Sequence, residues 1–179
     1  MQSQKVKTIA RLGMLFALAM ALSFFESVIT PLLGLMPAMK LGLANIVVMY
    51  ALLFMKRRHA LALVLLKAAF SLLARGVTAG FLSLCGGLLS WAVLCVLLSL
   101  PFGITGYMFS VCGALAHNIG QLFGAALVLS SAMALGYAPI LLIAGVVVGS
   151  LTWWIARGVF PALRQLYPQE ISREKNIKF

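Results

Sequence analysis

Acidic residues are almost absent from this chain of 179 residues. Its three acidic residues are glutamates, Glu26, Glu170 and Glu174, and there is no aspartate, against fourteen lysines and arginines. Charged residues make up 9% of the chain and hydrophobic residues 63%, whereas soluble domains are about half apolar and roughly a quarter charged. This composition excludes an ordinary soluble domain and predicts an integral membrane protein.

Motifs of several other protein classes are also missing. No GxxxxGK[ST] stretch is present, so the chain is not expected to hydrolyse ATP itself. Cys85, Cys95 and Cys112 lie in apolar runs without CxxC spacing, which predicts buried free thiols rather than a metal site or a disulfide framework. The basic residues form no stripe with interleaved aromatics, and this argues against nucleic acid as a partner.

Long apolar stretches follow one another along the chain, separated by proline, glycine or basic residues. They predict membrane-spanning helices at about residues 9–30, 38–55, 60–75, 81–100, 107–130 and 138–157. Pro31, Gly136 and Pro139 mark two of the breaks between them. We therefore expect an all-α fold, with a single bundle of six transmembrane helices over residues 1–165 and a polar cytoplasmic tail over residues 166–179.

Most basic residues cluster at the ends of these stretches. Such clusters precede the first stretch, follow the second and follow the last, namely Lys5, Lys7, Arg11; Lys56, Arg57, Arg58; and Arg157, Arg164, Arg173, Lys175, Lys178. Because short basic loops of multi-pass proteins face the cytoplasm, both termini are expected inside, in N-in and C-in topology. The surrounding partner is then the lipid bilayer of the cytoplasmic membrane.

Five ionisable residues lie away from these clusters and from the tail: Glu26, Lys40, Lys67, Arg75 and His117. Charge inside a bilayer is costly and usually marks a functional site. At i, i+4 spacing, Lys67, Ser71 and Arg75 share one helix face, and His117 and Gln121 share another. Asn118 follows His117 directly. A polar face in a helix surrounded by lipid must meet protein or water, so we expect these groups to face the interior.

The charges of this set favour an anionic ligand. Lys40, Lys67 and Arg75 are positive and Glu26 is negative, so a shared pocket in the outer half of the bundle would carry a net charge of about +2. A cationic pocket at low dielectric attracts carboxylates or phosphates. The sequence thus predicts a binding site for a small anion that includes these four residues and His117.

Each of these residues also has a structural explanation. Lys40 and Arg75 could anchor the helices by reaching the lipid headgroups. Glu26 could be an ion-pair partner of a lysine, and the polar residues beside His117 could hydrogen-bond between helices. Lys67 is the hardest to explain in this way, because it lies near the middle of its span.

Small residues form a stripe on the first predicted helix. Gly13, Ala17 and Ala21 recur at every fourth position, and such spacing lets two helix backbones approach closely. Two GxxxG pairs on the fifth and sixth spans have the same spacing, Gly120–Gly124 and Gly145–Gly149. Packing inside the bundle is one explanation for all of these motifs. For the stripe on the first helix, docking of a partner membrane subunit is a second explanation.

Three stretches of the chain resemble a known bacterial membrane family. They are MPAMKLGLANIVVMYALL (Met36–Leu53), LSLCGGLLS (Leu82–Ser90) and SVCGALAHNIGQL (Ser110–Leu122). The family is named Gx transporter, and it often carries the name heptaprenyl diphosphate synthase component I. The resemblance extends over essentially all six predicted spans and implies a bacterial cytoplasmic membrane as the location.

The resemblance also implies a function, since family members look like relatives of the substrate-binding S components of energy-coupling-factor vitamin transporters. Those six-helix proteins bind a ligand toward the outer side. They dock a transmembrane coupling subunit, which works with ATPases, through an AxxxA-type stripe that Ala17 and Ala21 match here. Family members are also associated with flavin-based extracellular electron transfer and menaquinone biosynthesis, which implies a flavoprotein or a prenyl synthase as another partner. Family motif and polarity coincide at Lys40, Asn45, His117, Asn118 and Gln121.

The synthase name can be tested against chemistry. Prenyl-chain elongation needs Mg²⁺ held by carboxylate clusters, and a chain with three glutamates and no aspartate cannot build such a centre. We therefore expect no catalytic or metal-binding residues, and either a transport subunit for an anionic molecule or a non-catalytic membrane anchor. The expected substrate-binding residues are Glu26, Lys40, Asn45, Lys67, Ser71, Arg75, His117, Asn118 and Gln121, and the expected partner-docking residues are Gly13, Ala17 and Ala21.

Overall fold

Six helices account for nearly all of the described structure. A computed structural model describes residues 2–32, 34, 40–101, 103–128, 131–166 and 177–178. The helices are α1 (Gln2–Leu32), α2 (Asn45–Phe54), α3 (Arg57–Arg75), α4 (Val77–Leu97), α5 (Gly106–Val128) and α6 (Ser131–Leu166). Two short strands, β1 (Ile104–Thr105) and β2 (Ile177–Lys178), pair in parallel. The all-α prediction is confirmed, with this strand pair as a small addition.

Four of the helices are long and apolar enough to cross a membrane. The qualifying segments are Lys5–Leu32, Val77–Leu97, Gly106–Val128 and Leu135–Gly158. A bilayer core about 30 Å thick needs roughly 20 apolar residues in a helix, and these segments meet that requirement. The protein is therefore a membrane-embedded multi-pass protein.

The short helix α2 lies at the centre of the bundle. It contacts α1, α3, α4 and α5, and eight of its ten residues are buried. Its sequence, NIVVMYALLF, is apolar on every side, as expected for a helix with protein all around it. Helices α3 to α6 pack in chain order, each against the next. The larger hydrophobic core forms around α2 and includes residues from all six helices.

The start of the second predicted span differs from the structure. We expected a helix from about residue 38, but α2 begins at Asn45, and the chain from Lys40 to Ala44 is not helical. Gly42 has a φ of +97°, a left-handed conformation that glycine adopts without strain and that interrupts a right-handed helix. The segment from Lys40 to Ala44, called here the inner segment, is nevertheless almost completely buried.

One predicted break lies slightly later than expected, and another is wrong. Helix α1 continues through Pro31 and ends at Leu32, because a proline in the last turn removes only one backbone hydrogen bond from the helix. Helix α6 runs without interruption through Gly136 and Pro139. Membrane helices tolerate proline when neighbouring groups satisfy the freed carbonyl. The local signals that end helices in water were therefore poor guides here.

Glycines bring α4 and α5 into close contact. A β-carbon on Gly120 would lie 2.6 Å from the carbonyl oxygen of Cys85 and 2.8 Å from the Cα atom of Gly86. The same holds in the opposite direction, since a β-carbon on Gly86 would lie 2.7 Å from the carbonyl oxygen of His117. The GxxxG pair on α6 packs against α5 in a similar way, with Gly149 close to the backbone of Val111. These motifs serve packing inside the bundle.

Replacing Gly120 by alanine is expected to destabilise the protein by about 1–3 kcal/mol, because the new methyl group would meet backbone atoms that cannot rotate away. The measurement is thermal unfolding of the purified protein in detergent. Gly136→Ala is the matched control, since a β-carbon at Gly136 has no atom within 4 Å and alanine favours the helix. Equal unfolding temperatures for the two variants would contradict this account of the α4–α5 contact.

Candidate functional site

The ionisable residues that the sequence places far apart meet in the interior of the bundle. Glu26 comes from α1, Lys40 from the inner segment, Lys67 and Arg75 from α3, and His117 from α5. The Glu26 carboxylate lies within electrostatic range of Lys67 and Lys40 and of Arg75. His117 lies within the same range of both lysines. We call these five residues the charged cluster.

The two lysines of the charged cluster are deeply buried. Lys40 and Lys67 are each 3% exposed, and Glu26 is 0% exposed. Arg75, at the last residue of α3, is partly exposed. With three positive groups and one negative group, the cluster has a formal charge of +2 when His117 is neutral. Buried charges are tolerated only where opposite charges or hydrogen bonds compensate them, and among the described residues Glu26 is the one carboxylate beside the two buried lysines.

Glu26 joins α1 to the inner segment. Its Oε1 atom accepts a short hydrogen bond from the backbone N–H of Leu43. The backbone of Gly42 lies beside the same carboxylate. Its Oε2 atom, also buried, has no hydrogen-bond partner among the described residues. The carboxylate thus does two things at once: it satisfies a backbone donor of a non-helical segment, and it faces the lysines.

His117 is held between two glycines. A β-carbon on Gly42 would lie 3.1 Å from its Cδ2 atom, and one on Gly86 would lie 2.9 Å from its Cε1 atom. Larger residues at these positions would displace the imidazole, so the glycines of the inner segment and of α4 define its place. The Nδ1 atom is buried and has no hydrogen-bond partner in the described part of the chain.

Gln121 holds the inner segment in place, and Asn118 joins α5 to α6. The backbone N–H of Lys40 donates to Gln121 Oε1 at 2.9 Å, and Gln121 Nε2 donates to the Lys40 carbonyl at 2.8 Å. Asn118 Nδ2 donates to the carbonyl of Leu141 on α6 at 2.7 Å. Gln121 therefore pairs with the Lys40 backbone as a neighbouring strand would. Irregular backbone inside a membrane protein needs such partners.

Asn45 and Ser71 make contacts outside the charged cluster. Asn45 Nδ2 donates to Ser90 Oγ at 2.7 Å and to the carbonyl of Gly113 at 3.3 Å. Ser71 Oγ donates to the carbonyl of Ala79 at 3.2 Å and joins α3 to α4. Lys67 and Ser71 do share the buried face of α3, as their spacing suggests. The structure thus brings together Glu26, Lys40, Lys67, Arg75 and His117, and it gives the amides and Ser71 bridging hydrogen bonds.

A small cavity lies where the inner segment meets α2, α4, α5 and α6, and no residue of the charged cluster lines it. Its volume is about 10 Å³, enough for roughly one water molecule. Polar lining comes from Asn45, Ser110 and Thr152, and Gly42 lies at its edge. The Oδ1 atom of Asn45 is buried without a hydrogen-bond partner among the described residues. A single water between these groups would satisfy it.

Sequence reasoning missed several members of this region. Ser90 links Asn45 to the Gly113 carbonyl, to which its own hydroxyl donates at 2.8 Å. Gly42 shapes the inner segment and contacts His117. The signal for Ser90 was an isolated polar residue in an apolar helix, and the signal for Gly42 was a glycine inside a predicted span. Neither signal distinguishes these positions from other serines and glycines of the chain.

Comparison with known proteins gives a family. The family model for heptaprenyl diphosphate synthase component I matches residues 15–159, which cover most of the chain. The chain belongs to that family. The match includes every residue of the charged cluster, all of α2, α3, α4 and α5, and parts of α1 and α6. Neither a curated protein nor a solved structure showed significant similarity.

The stripe of small residues on α1 lies on the surface of the helix bundle. Gly13, Ala17 and Ala21 are exposed, and a β-carbon on Gly13 would have no atom within 4 Å. The opposite face of α1 is narrow, and its buried residues are Ala19, Ser23, Glu26 and Thr30. Packing within the described part of the chain therefore does not explain the stripe.

Replacing Gln121 by leucine is expected to destabilise the protein by about 2–4 kcal/mol, because it leaves the N–H and C=O groups of Lys40 buried without partners. Hydrogen exchange at residues 40–44 should accelerate at the same time. Ser27→Ala, which removes an exposed hydrogen bond to the Phe24 carbonyl, is the control and should change little. An unchanged rate of hydrogen exchange at residues 40–44 in the Gln121 variant would show that the inner segment does not depend on these two hydrogen bonds.

Proposed function

We propose that this protein is a membrane subunit that binds an anionic small molecule from the outer side for transport, in the manner of an S component. Three classes of ligand fit the proposed site by charge: a flavin, an isoprenoid phosphate and a quinone precursor. Each carries a phosphate, a carboxylate or another acidic group that two lysines can hold. Energy would come from a separate coupling subunit and its ATPases, because the sequence has no nucleotide-binding P-loop.

One observation carries the proposal: two buried lysines and a partly exposed arginine lie around one buried carboxylate. Ionisable groups inside a membrane bundle are rare and typically mark a substrate or ion pathway. An anionic group between Lys40 and Lys67 would supply the missing negative charge. In the present arrangement these side chains are covered, so binding would require α1 to separate from the inner segment. The narrow buried face of α1 supports such a movement.

The proposed topology has six spans with both termini inside, which places the charged cluster in the outer half of the membrane. Basic residues at the start of α1, between α2 and α3 and after α6 support it. The pairing of β1 with β2 also supports it, since it brings residues 177–178 next to the α4–α5 connection. In this topology α2 and α3 count as spans, although α2 has only ten residues and crosses together with the inner segment.

The exposed stripe on α1 is the proposed docking site for the coupling subunit. Gly13, Ala17 and Ala21 would let a partner helix approach closely. Glu26 lies on the other face of the same helix and contacts the inner segment. Ligand binding would therefore change the position of α1, the helix to which the coupling subunit binds.

A second candidate function is a non-catalytic membrane anchor. The family description, a synthase component, favours it because it implies a second component that acts with this one. The acidic residues of the chain, Glu26, Glu170 and Glu174, are too few for a carboxylate-held Mg²⁺ centre, so chemistry on a prenyl diphosphate would belong to the partner. A flavoprotein of an electron-transfer assembly is the other partner considered for this role.

Replacing Lys67 by methionine is expected to remove the bound molecule. The test is to purify the wild-type protein, the Lys67→Met variant and a Lys56→Met control in mild detergent, and to identify co-purifying molecules by mass spectrometry. Loss of a buried ion-paired contact typically costs more than tenfold in affinity. Lys56 is exposed between α2 and α3, so its variant should retain the wild-type amount.

Different results separate the two functions. An anionic molecule that is present in the wild-type protein and in the Lys56 variant, and depleted in a monodisperse Lys67 variant, supports transport. The same molecule at equal amounts in all three proteins contradicts a site at Lys67. Recovery of a peripheral synthase component or a flavoprotein, without a bound small molecule, supports the anchor.

A further inference from the structure

The charged cluster contains an acceptor as well as cations. Glu26 Oε2 is completely buried, and no described residue donates a hydrogen bond to it. The other carboxylate oxygen, Oε1, is already used by the N–H of Leu43. An ionised carboxylate can only accept hydrogen bonds, and leaving a buried acceptor unsatisfied is costly. This atom therefore calls for a donor that the described part of the protein does not supply.

The position of Glu26 constrains any anion that binds here. Its carboxylate lies within electrostatic range of both Lys40 and Lys67, so an anion held by the two lysines would lie within the same range of Glu26. A ligand oxygen that carries no hydrogen would face the negatively charged Oε2 atom of Glu26 at low dielectric, and the two would repel each other strongly. An O–H or N–H group on the same ligand would instead donate to Oε2.

The two kinds of ligand should therefore differ in affinity. Anions that carry a donor gain a charge-assisted hydrogen bond, which is stronger than one between neutral groups. Anions without a donor leave Oε2 unpaired and add repulsion. Sites that discriminate well use both elements, attraction for one ligand and repulsion for the other.

We propose that Glu26 makes this site selective for anions that carry a hydrogen-bond donor next to the negative charge. The ligand class is then a protonated oxyanion or an acid with an adjacent O–H or N–H group. This inference rests on the proposed function, since it assumes that the charged cluster binds an anion. It assigns Glu26 a role in specificity in addition to its contact with Leu43.

Phosphate and sulfate are suitable probes for this proposal. Both are tetrahedral oxyanions of similar size, but near neutral pH phosphate retains at least one proton and sulfate retains none. Arsenate and selenate form a second pair with the same difference. Equilibrium dialysis or calorimetry on the full chain in detergent at neutral pH would give the affinities of all four.

The Glu26→Gln variant tests the role of the carboxylate. Glutamine keeps an oxygen that can accept from Leu43, so the link to the inner segment is retained. Its amino group can take the position of Oε2 and turn an acceptor into a donor. The wild-type protein is expected to prefer phosphate over sulfate by at least about tenfold. In the variant sulfate should bind more tightly, and the ratio should fall to within about threefold.

Three results would count against the proposal, and they have different meanings. Equal affinity of the wild-type protein for phosphate and sulfate, or for arsenate and selenate, would overturn the proposed selectivity. The proposed function would still stand if the binding of these anions depended on Lys67. An unchanged ratio in a folded Glu26→Gln variant would remove Glu26 from specificity. Binding of no anion, or binding that Lys67→Met leaves intact, would overturn the proposed function and this inference together. The arsenate–selenate pair needs only the wild-type protein and tests the selectivity itself even if the variant fails to fold.

Discussion

The inner segment must have its backbone hydrogen bonds satisfied inside a membrane protein, and the rest of the structure depends on this constraint. Lipid offers no partners, so irregular backbone persists at this depth only where protein supplies them. Gln121 pairs with both backbone groups of Lys40, and Glu26 accepts from Leu43. These bonds connect α1 and α5 to the segment before α2, and they bring Lys40 close to Lys67.

The same arrangement links binding to the surface of the protein. Glu26 is one of the few buried residues of α1, and Gly13, Ala17 and Ala21 lie exposed on that helix. A ligand that interacts with Lys40 and Lys67 changes the forces on Glu26. The position of α1 would respond, which supplies a physical route from an interior site to a docking surface. This route consists of helix α1 and the carboxylate of Glu26.

Composition and charge distribution were sufficient to predict the membrane class, the six helices and the inward position of the charged residues. The buried face of α3, with Lys67 and Ser71, also followed from helical spacing. The interruption before α2 did not, because glycine permits a positive φ, as at Gly42, without requiring one. Helix α6 continued through Pro139 for a similar reason, since local signals for a helix end lose force inside a membrane. The roles of Gln121 and Asn118 required the coordinates, because an amide suits a ligand and a neighbouring backbone equally well.

A double-mutant cycle on Glu26 and Lys67 is the most direct measurement of the central claim, that these two residues act in one site. It compares the unfolding free energies of the wild-type protein, Glu26→Gln, Lys67→Met and the double variant. Because the two charges interact in a buried environment, the account predicts a coupling energy of about 1 kcal/mol or more. Additive effects, within about 0.3 kcal/mol, would show that the residues act independently and would contradict the account.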